Sequence, residues 1–186
     1  MNIIEAIETN DVKFVRSNIG KFNPNQNGQY DFPLLHRACY LGHLEIIELL
    51  IDNGADIEIE DKYKNTPLFS VIDDCQDNWF YVIELLVKKG VKVDGSMLIE
   101  AVKQEKYIDV IKLFLDNGAD IDYVDESGDK AINYAYDCNY NEAIELLQKY
   151  GAKYDGKITN DEQILRDYAI GMLESEKLKK RGHNGS

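Results

Sequence analysis

The sequence predicts an all-α fold, a solenoid of short helix pairs with extended linkers between them and a capping helix at the C-terminal end. Three observations predict it. Glu48–Ile57, Lys112–Ile121 and Glu145–Lys153 align as copies of one another, and Glu84–Val91 is a looser copy. Glycines at 54, 90, 118 and 151 mark one point in each copy, at spacings of 36, 28 and 33, the period of a stacked supersecondary unit. The composition, 44% hydrophobic and 30% charged with 3 prolines, is that of a globular chain with a packed core.

Each unit reads as a short apolar helix, a turn, a second apolar helix ending in glycine, and an extended linker. The marker glycine suits a helix end, because helices commonly stop on a left-handed residue, a conformation glycine adopts without a Cβ penalty. The pair Thr66-Pro67 suits a helix start. The hydroxyl caps free N–H groups, and proline at the first helical position has no N–H to leave unbonded. Upstream of another unit stands Leu35-His36-Arg37-Ala38-Cys39-Tyr40-Leu41-Gly42-His43-Leu44-Glu45.

These residues resemble the ankyrin repeat, which has a 33-residue period and a T-P-L-H-x-A signature. The resemblance covers about residues 1–156, as repeats at 1–26, 27–59, 60–93, 94–123 and 124–156. The second repeat is the nearest copy, with His36, Ala38, Gly42-His43 and Gly54-Ala55-Asp56 in family positions, although Pro33 and Leu34 stand in the Thr-Pro slots. The third keeps Thr66-Pro67-Leu68 but has Phe69 for the histidine, and the fifth has Lys130-Ala131-Ile132-Asn133 in place of the signature. The first reads as an N-terminal cap, Ala6 and Ile7 marking one helix and Phe14, Val15 and Ile19 the other.

Two spacings are irregular. The third repeat carries three extra residues in its inter-helix turn, around Asp73-Asp74-Cys75-Gln76-Asp77-Asn78. The fourth runs from Gly90 through Asp94-Gly95 almost directly into a helix at Ser96, so its finger is about six residues short. Insertions in repeat arrays map to loops on one face, often the binding face, although drift in a divergent repeat gives the same irregularity. Beyond Gly156, Thr159-Asn160-Asp161-Glu162 has capping-box spacing, and Ile164, Leu165, Tyr168, Ala169, Met172 and Leu173 recur at helical intervals. The expectation is a capping helix over 157–180 and a solvated tail over 181–186.

Charge narrows the partner. The chain has 21 bases and 34 acids, a balance of −13. Residues 1–176 hold 17 of those bases and all 34 acids and so carry −17, the other four bases being Lys177, Lys179, Lys180 and Arg181. Nucleic acid needs a basic footprint, and an anionic membrane surface would repel this body. A basic protein fits the field, since opposite charge raises encounter rate and suppresses wrong partners. Cys39, Cys75 and Cys138 are odd in number and widely spaced, which reads as reduced thiols in the cytoplasm. No stretch approaches the roughly 18 apolar residues of a membrane span.

Catalytic patterns are missing. His36 and His43 fall on structural positions of the repeat, and no G-x-S-x-G, H-E-x-x-H or phosphate-loop pattern occurs. The run Asp116–Asp122 has alternating acids but Ile121 where a calcium loop needs glycine. No metal or cofactor is expected, and a metal-dependent or hydrolytic enzyme built on Asp73, Asp74 and Asp77 is the remote alternative.

The resemblance implies that partners bind the concave side, made of finger tips and the exposed face of each first helix. Those positions are Gln29, Tyr30, Phe32, Tyr40 and Leu41; Lys62, Tyr63, Asn65, Asp73 and Asp74; Lys103 and Gln104; and Glu126, Ser127, Asp129, Asp137 and Cys138. The first set is aromatic and the others are acid-rich; Asp77 and Trp79 on the enlarged turn extend them. Tyrosine and tryptophan combine a large apolar area with a polar tip. The reading is therefore a monomeric, non-enzymatic protein-binding module. Its sharpest form is a cytosolic inhibitor or immunity protein that occludes a basic toxin or enzyme. The alternative is a viral or intracellular-bacterial adaptor docking host proteins.

Overall fold

The computed structural model describes residues 1–28, 31–73, 78–105, 108–154 and 156. The expected capping helix over 157–180 and the tail lie outside the described residues. Ten α-helices occur among those described, in five pairs: α1 (Ile3–Glu8) with α2 (Val12–Asn18), α3 (Leu34–Tyr40) with α4 (Leu44–Asp52), α5 (Pro67–Asp73) with α6 (Trp79–Lys88), α7 (Gly95–Lys103) with α8 (Ile108–Asp116), and α9 (Ala131–Asp137) with α10 (Asn141–Lys149). The odd-numbered helices pack on one another as an inner row, the even-numbered ones as an outer row, and each pair packs internally. Ile19 ends the first repeat in a 3-10 turn, Ile19–Lys21, instead of continuing α2.

A pair of helices this short cannot bury an apolar face alone, so stacking supplies the core. Leu35, Leu68, Leu98 and Ile132 occupy one position of the inner row and are buried. Ile46-Ile47, Val82-Ile83, Val110-Ile111 and Ala143-Ile144 do the same in the outer row. Each such Leu or Ile contributes about 1.5–3 kcal/mol by leaving water. Ala6, Ala38, Ala101 and Ala135 are buried at a matching point of four inner helices, and Val71 takes that place in α5. The small alanine side chains let neighbouring backbones approach.

Every outer helix from the second repeat onward ends the same way. Gly54, Gly90, Gly118 and Gly151 have φ of 92°, 93°, 86° and 102°. The next residue, Ala55, Val91, Ala119 or Ala152, turns inward and donates its N–H to the carbonyl five residues back, as in Ala55 to Leu50 at 2.9 Å. This is the Schellman closure, which satisfies the last carbonyls of the helix. Inside the pairs, Asn10, Gly42, Glu105 and Asn139 follow the inner helices at positive φ, and Asn78, at φ 56°, stands directly before α6.

The fourth repeat departs from the pattern as the short spacing predicts. Helix α7 begins at Gly95, one residue before Ser96, with the Asp94 carboxylate accepting from the N–H groups of Ser96 and Met97 at 3.0 and 3.1 Å. No finger precedes it. The linker that follows α8 crosses its start instead, and a Cβ on Gly95 would lie 2.0 Å from Tyr123 Cβ and 2.8 Å from the Asp120 carbonyl oxygen. Gly95 is thus required by close approach.

The marker glycines give a clean test, because nothing lies within 4 Å of a Cβ built on Gly54, Gly118 or Gly20, and of these three Gly20 alone lacks a positive φ. Gly54→Ala and Gly118→Ala are each expected to cost about 1–2 kcal/mol, the penalty of a left-handed residue with a Cβ. Gly20→Ala should be neutral or stabilising by up to about 1 kcal/mol through the unfolded chain. Urea unfolding midpoints of the three variants check this.

Candidate protein-binding face

The fingers are held by buried or half-buried carboxylates. In the third repeat Asp61, 7% exposed, accepts from the N–H groups of Tyr63 and Asn65 at 2.7 and 3.0 Å. Lys64 turns the tip with φ 70°. In the fifth, Asp125 accepts from the N–H groups of Ser127 and Asp129 at 2.9 and 3.1 Å, and Gly128 turns the tip with φ 81°. The Tyr134 hydroxyl donates to the other Asp125 oxygen at 2.7 Å. That hydrogen bond is the main reason the Asp125 carboxyl is held below the usual carboxylate range. The second repeat has Gly28 in the Asp61 slot, where the Asn27 amide reaches Asp31 at 2.6 Å and Gly28 N–H donates to Phe32 O at 2.6 Å. Asp61 and Asp125 therefore build the surface and are not free for a partner.

The face divides into two parts. Toward the N-terminus the rings of Phe32 and Tyr63 lie 6.1 Å apart between centroids, tilted by 48°. Lys62 Nζ sits over both, 5.0 and 5.1 Å from their centroids. Beside them the Arg37 guanidinium lies 5.2 Å from the Tyr40 ring and binds Glu8 through two hydrogen bonds of 2.6 Å. Those bonds, above all, lower the Glu8 pKa. Tyr63 remains 66% exposed, the most open large hydrophobic side chain among the described residues of the fingers.

Toward the C-terminus, past the fourth repeat with its missing finger, the described surface is acidic. Glu126 and Asp137 are exposed and Asp129 is half-buried. Lys103 Nζ lies 4.5 Å over the Tyr134 ring. Cys138 is half-buried, and burial followed by the neighbouring Glu105 pushes its thiol pKa up, away from nucleophilic use.

The residues singled out in the sequence are thus placed unequally. Phe32, Tyr40 and Tyr63 share one end of the face, and Glu126, Asp129 and Asp137 share the other. Trp79 joins neither group. It opens the outer helix α6, half-buried against the core and in edge contact with Phe80 at 5.9 Å. Asp73 closes α5 by its backbone, and its side chain, with Tyr30, Asp74 and Asp77, lies outside the described part of the structure. The sequence reading missed Arg37 and Tyr134, and it missed that ring faces carry the chain's own cations. Register places a residue at a tip, but side-chain direction decides which ring it covers.

A row of short helix pairs with finger tips and inner helices turned to one side defines a repeat solenoid of the protein-binding class. A family model for ankyrin repeats in three copies matches residues 3–96 and again 75–158. The chain belongs to the ankyrin repeat family, whose fold is a protein–protein interaction module and generally non-enzymatic. An ankyrin repeat domain-containing protein of Stachybotrys chartarum is 32% identical over 147 residues, covering 77% of this chain and 7% of that protein. A putative ankyrin repeat protein of fowlpox virus is 40% identical over 67 residues, 36% of this chain and 13% of its own length. A Caenorhabditis elegans homolog of transient receptor potential cation channel subfamily A member 1 is 30% identical over 105 residues, 54% of this chain and 8% of the channel. This chain spans 13% or less of each of these three. Among the described residues no helix is long and apolar enough to cross a membrane.

One histidine ties the core to the face. His36, 3% exposed on α3, bonds through Nε2 to the Asn65 carbonyl in the next finger at 2.9 Å, the structural role its repeat position implies. Burial holds its pKa below the ordinary value, partly offset by the Asn65 bond and the Asp61 carboxylate. A histidine depressed in the folded state favours the fold above its unfolded pKa of about 6.5, and that contribution is lost as pH falls below it. The urea midpoint should therefore drop between about pH 7.5 and pH 5.5. His36→Gln should show a smaller drop, and an unchanged pH dependence in the variant would remove His36 as the cause.

Proposed function

We propose that this chain captures a basic protein through the concave face, with Phe32 and Tyr63 as the apolar anchor and the acidic fifth finger as the electrostatic guide. The observation that carries the reading is the exposure of Tyr63 beside Phe32 together with unburied carboxylates at Glu126, Asp129 and Asp137. A body charge of −17 over residues 1–176 accelerates encounter with a basic partner and disfavours acidic competitors. Arg37 and Lys62 already occupy ring faces, so the partner's own cations belong at the C-terminal end, where the exposed side chains are acidic. Asp73, Asp74 and Asp77 add acid to the same reading from the enlarged third turn.

The sharper form is occlusion of a basic toxin or enzyme by an inhibitor of the immunity-protein kind, acting as a monomer in the cytoplasm. The charge favours that form, because a single-sign field serves one complementary partner better than several unrelated ones. The fowlpox relative favours the second form, an adaptor that docks host proteins, since it places a similar repeat segment in a virus.

Affinity capture from the native source at low and moderate salt separates these. Wild type should retain one basic protein tightly. Phe32→Ala/Tyr63→Ala should weaken retention by about tenfold or more, as loss of an aromatic hot spot does. Glu126→Lys/Asp129→Lys and Asp73→Lys/Asp74→Lys should weaken it most at low salt, where charge is least screened. Equal capture by all variants contradicts the concave-face reading, and weak capture of several partners favours the adaptor.

A further inference from the structure

The outer side of the array holds a second surface. An open groove of about 590 Å³ lies across α4, α6 and α8, lined by Leu44, Leu85 and Leu113 together with Tyr81, Glu48 and Glu84. Tyr81 is 57% exposed. Its repeat position is occupied elsewhere by Lys13, Glu45, Asp109 and Glu142, all exposed. Four repeats thus give this site a charge that keeps the outer helices in water, and the third gives it a tyrosine that lines a groove with three leucines and meets Phe80 edge-on at 5.8 Å. An aromatic side chain in a leucine-lined hollow, where the fold itself asks for a charge, is the composition of an interface anchor and not of a solvated face.

We infer that this groove is a second docking site, for a segment of a partner protein that carries an apolar anchor flanked by lysine or arginine. The lining chemistry selects that occupant. Glu84 forms no ion pair among the described residues. Glu48 lies 3.8 Å from Lys89 Nζ, which Asp52 holds more closely at 2.6 Å. Lys88 is the single base among the lining residues, against the two acids. A second copy of this chain is disfavoured, because a two-fold contact would set Glu48 and Glu84 against their own counterparts. The site shares no residue with the concave face and does not depend on that reading.

The test uses two synthetic amphipathic helical peptides of one pattern, built from leucine with lysine or leucine with glutamate, titrated into the full chain by two-dimensional amide NMR. The leucine–lysine peptide should bind saturably, shift the amides of Glu48, Glu84, Leu85 and Leu113, and lose about tenfold or more in affinity against Tyr81→Glu. Tyr81→Glu places at this position the charge that Glu45 and Glu142 carry in other repeats, so its thermal melt should match wild type. The inference is overturned if the leucine–glutamate peptide binds equally, if the shifts gather on the fingers, if Tyr81→Glu binds as wild type does, or if no saturable binding occurs. Concentration-dependent dimerisation abolished by Tyr81→Glu would assign the groove to a second copy and overturn the basic partner.

Discussion

The helices of this array are short, and at most of their described ends a left-handed backbone position enforces the stop. Gly54, Gly90, Gly118 and Gly151 close outer helices, while Asn10, Gly42, Glu105 and Asn139 follow inner ones. The residue after each glycine then turns inward and caps the helix it follows. With helix length fixed, the leucine and isoleucine positions of successive pairs fall level, and the core continues from pair to pair. Without those stops the layers would lose register and the fingers would not align on one side.

Charge is then divided between building and binding. Asp61 and Asp125 fold fingers, Asp11 and Asp94 cap helices, and Glu8 is committed to Arg37. Exposed pairs such as Lys112 with Asp116 or Lys130 with Asp122 contribute little, because water screens them. A net acidic chain thus presents an uneven face, aromatic and cation-covered at one end, openly acidic at the other. The missing fourth finger separates the two ends. The groove lined by Tyr81 lies on the opposite side, across the outer helices.

Much of this was legible in the sequence. The glycine spacing located the repeats, the interval of 28 announced the missing finger, and Thr66 does cap α5, its hydroxyl accepting from Phe69 N–H at 3.3 Å. Glu105 at φ 53° was not legible, since neither its type nor its neighbours announce a left-handed turn. Nor was the passage of Tyr123 across Gly95, a contact set by how the next linker collapses into an unfilled space. For the candidate face, register supplied positions, but the coverage of Phe32 and Tyr63 by Lys62 depends on rotamers that only packing decides. Tyr81 was readable in principle, by comparing one position through all five repeats and noting where charge gives way to a ring.

Hydrogen–deuterium exchange of the chain with and without its captured partner tests the central claim most directly. The account predicts slowed exchange at the finger amides of residues 61–65 and 125–129, with the inner helices between them following. Protection confined to α4, α6 and α8, with the fingers unchanged, would contradict the concave face as the primary binding surface.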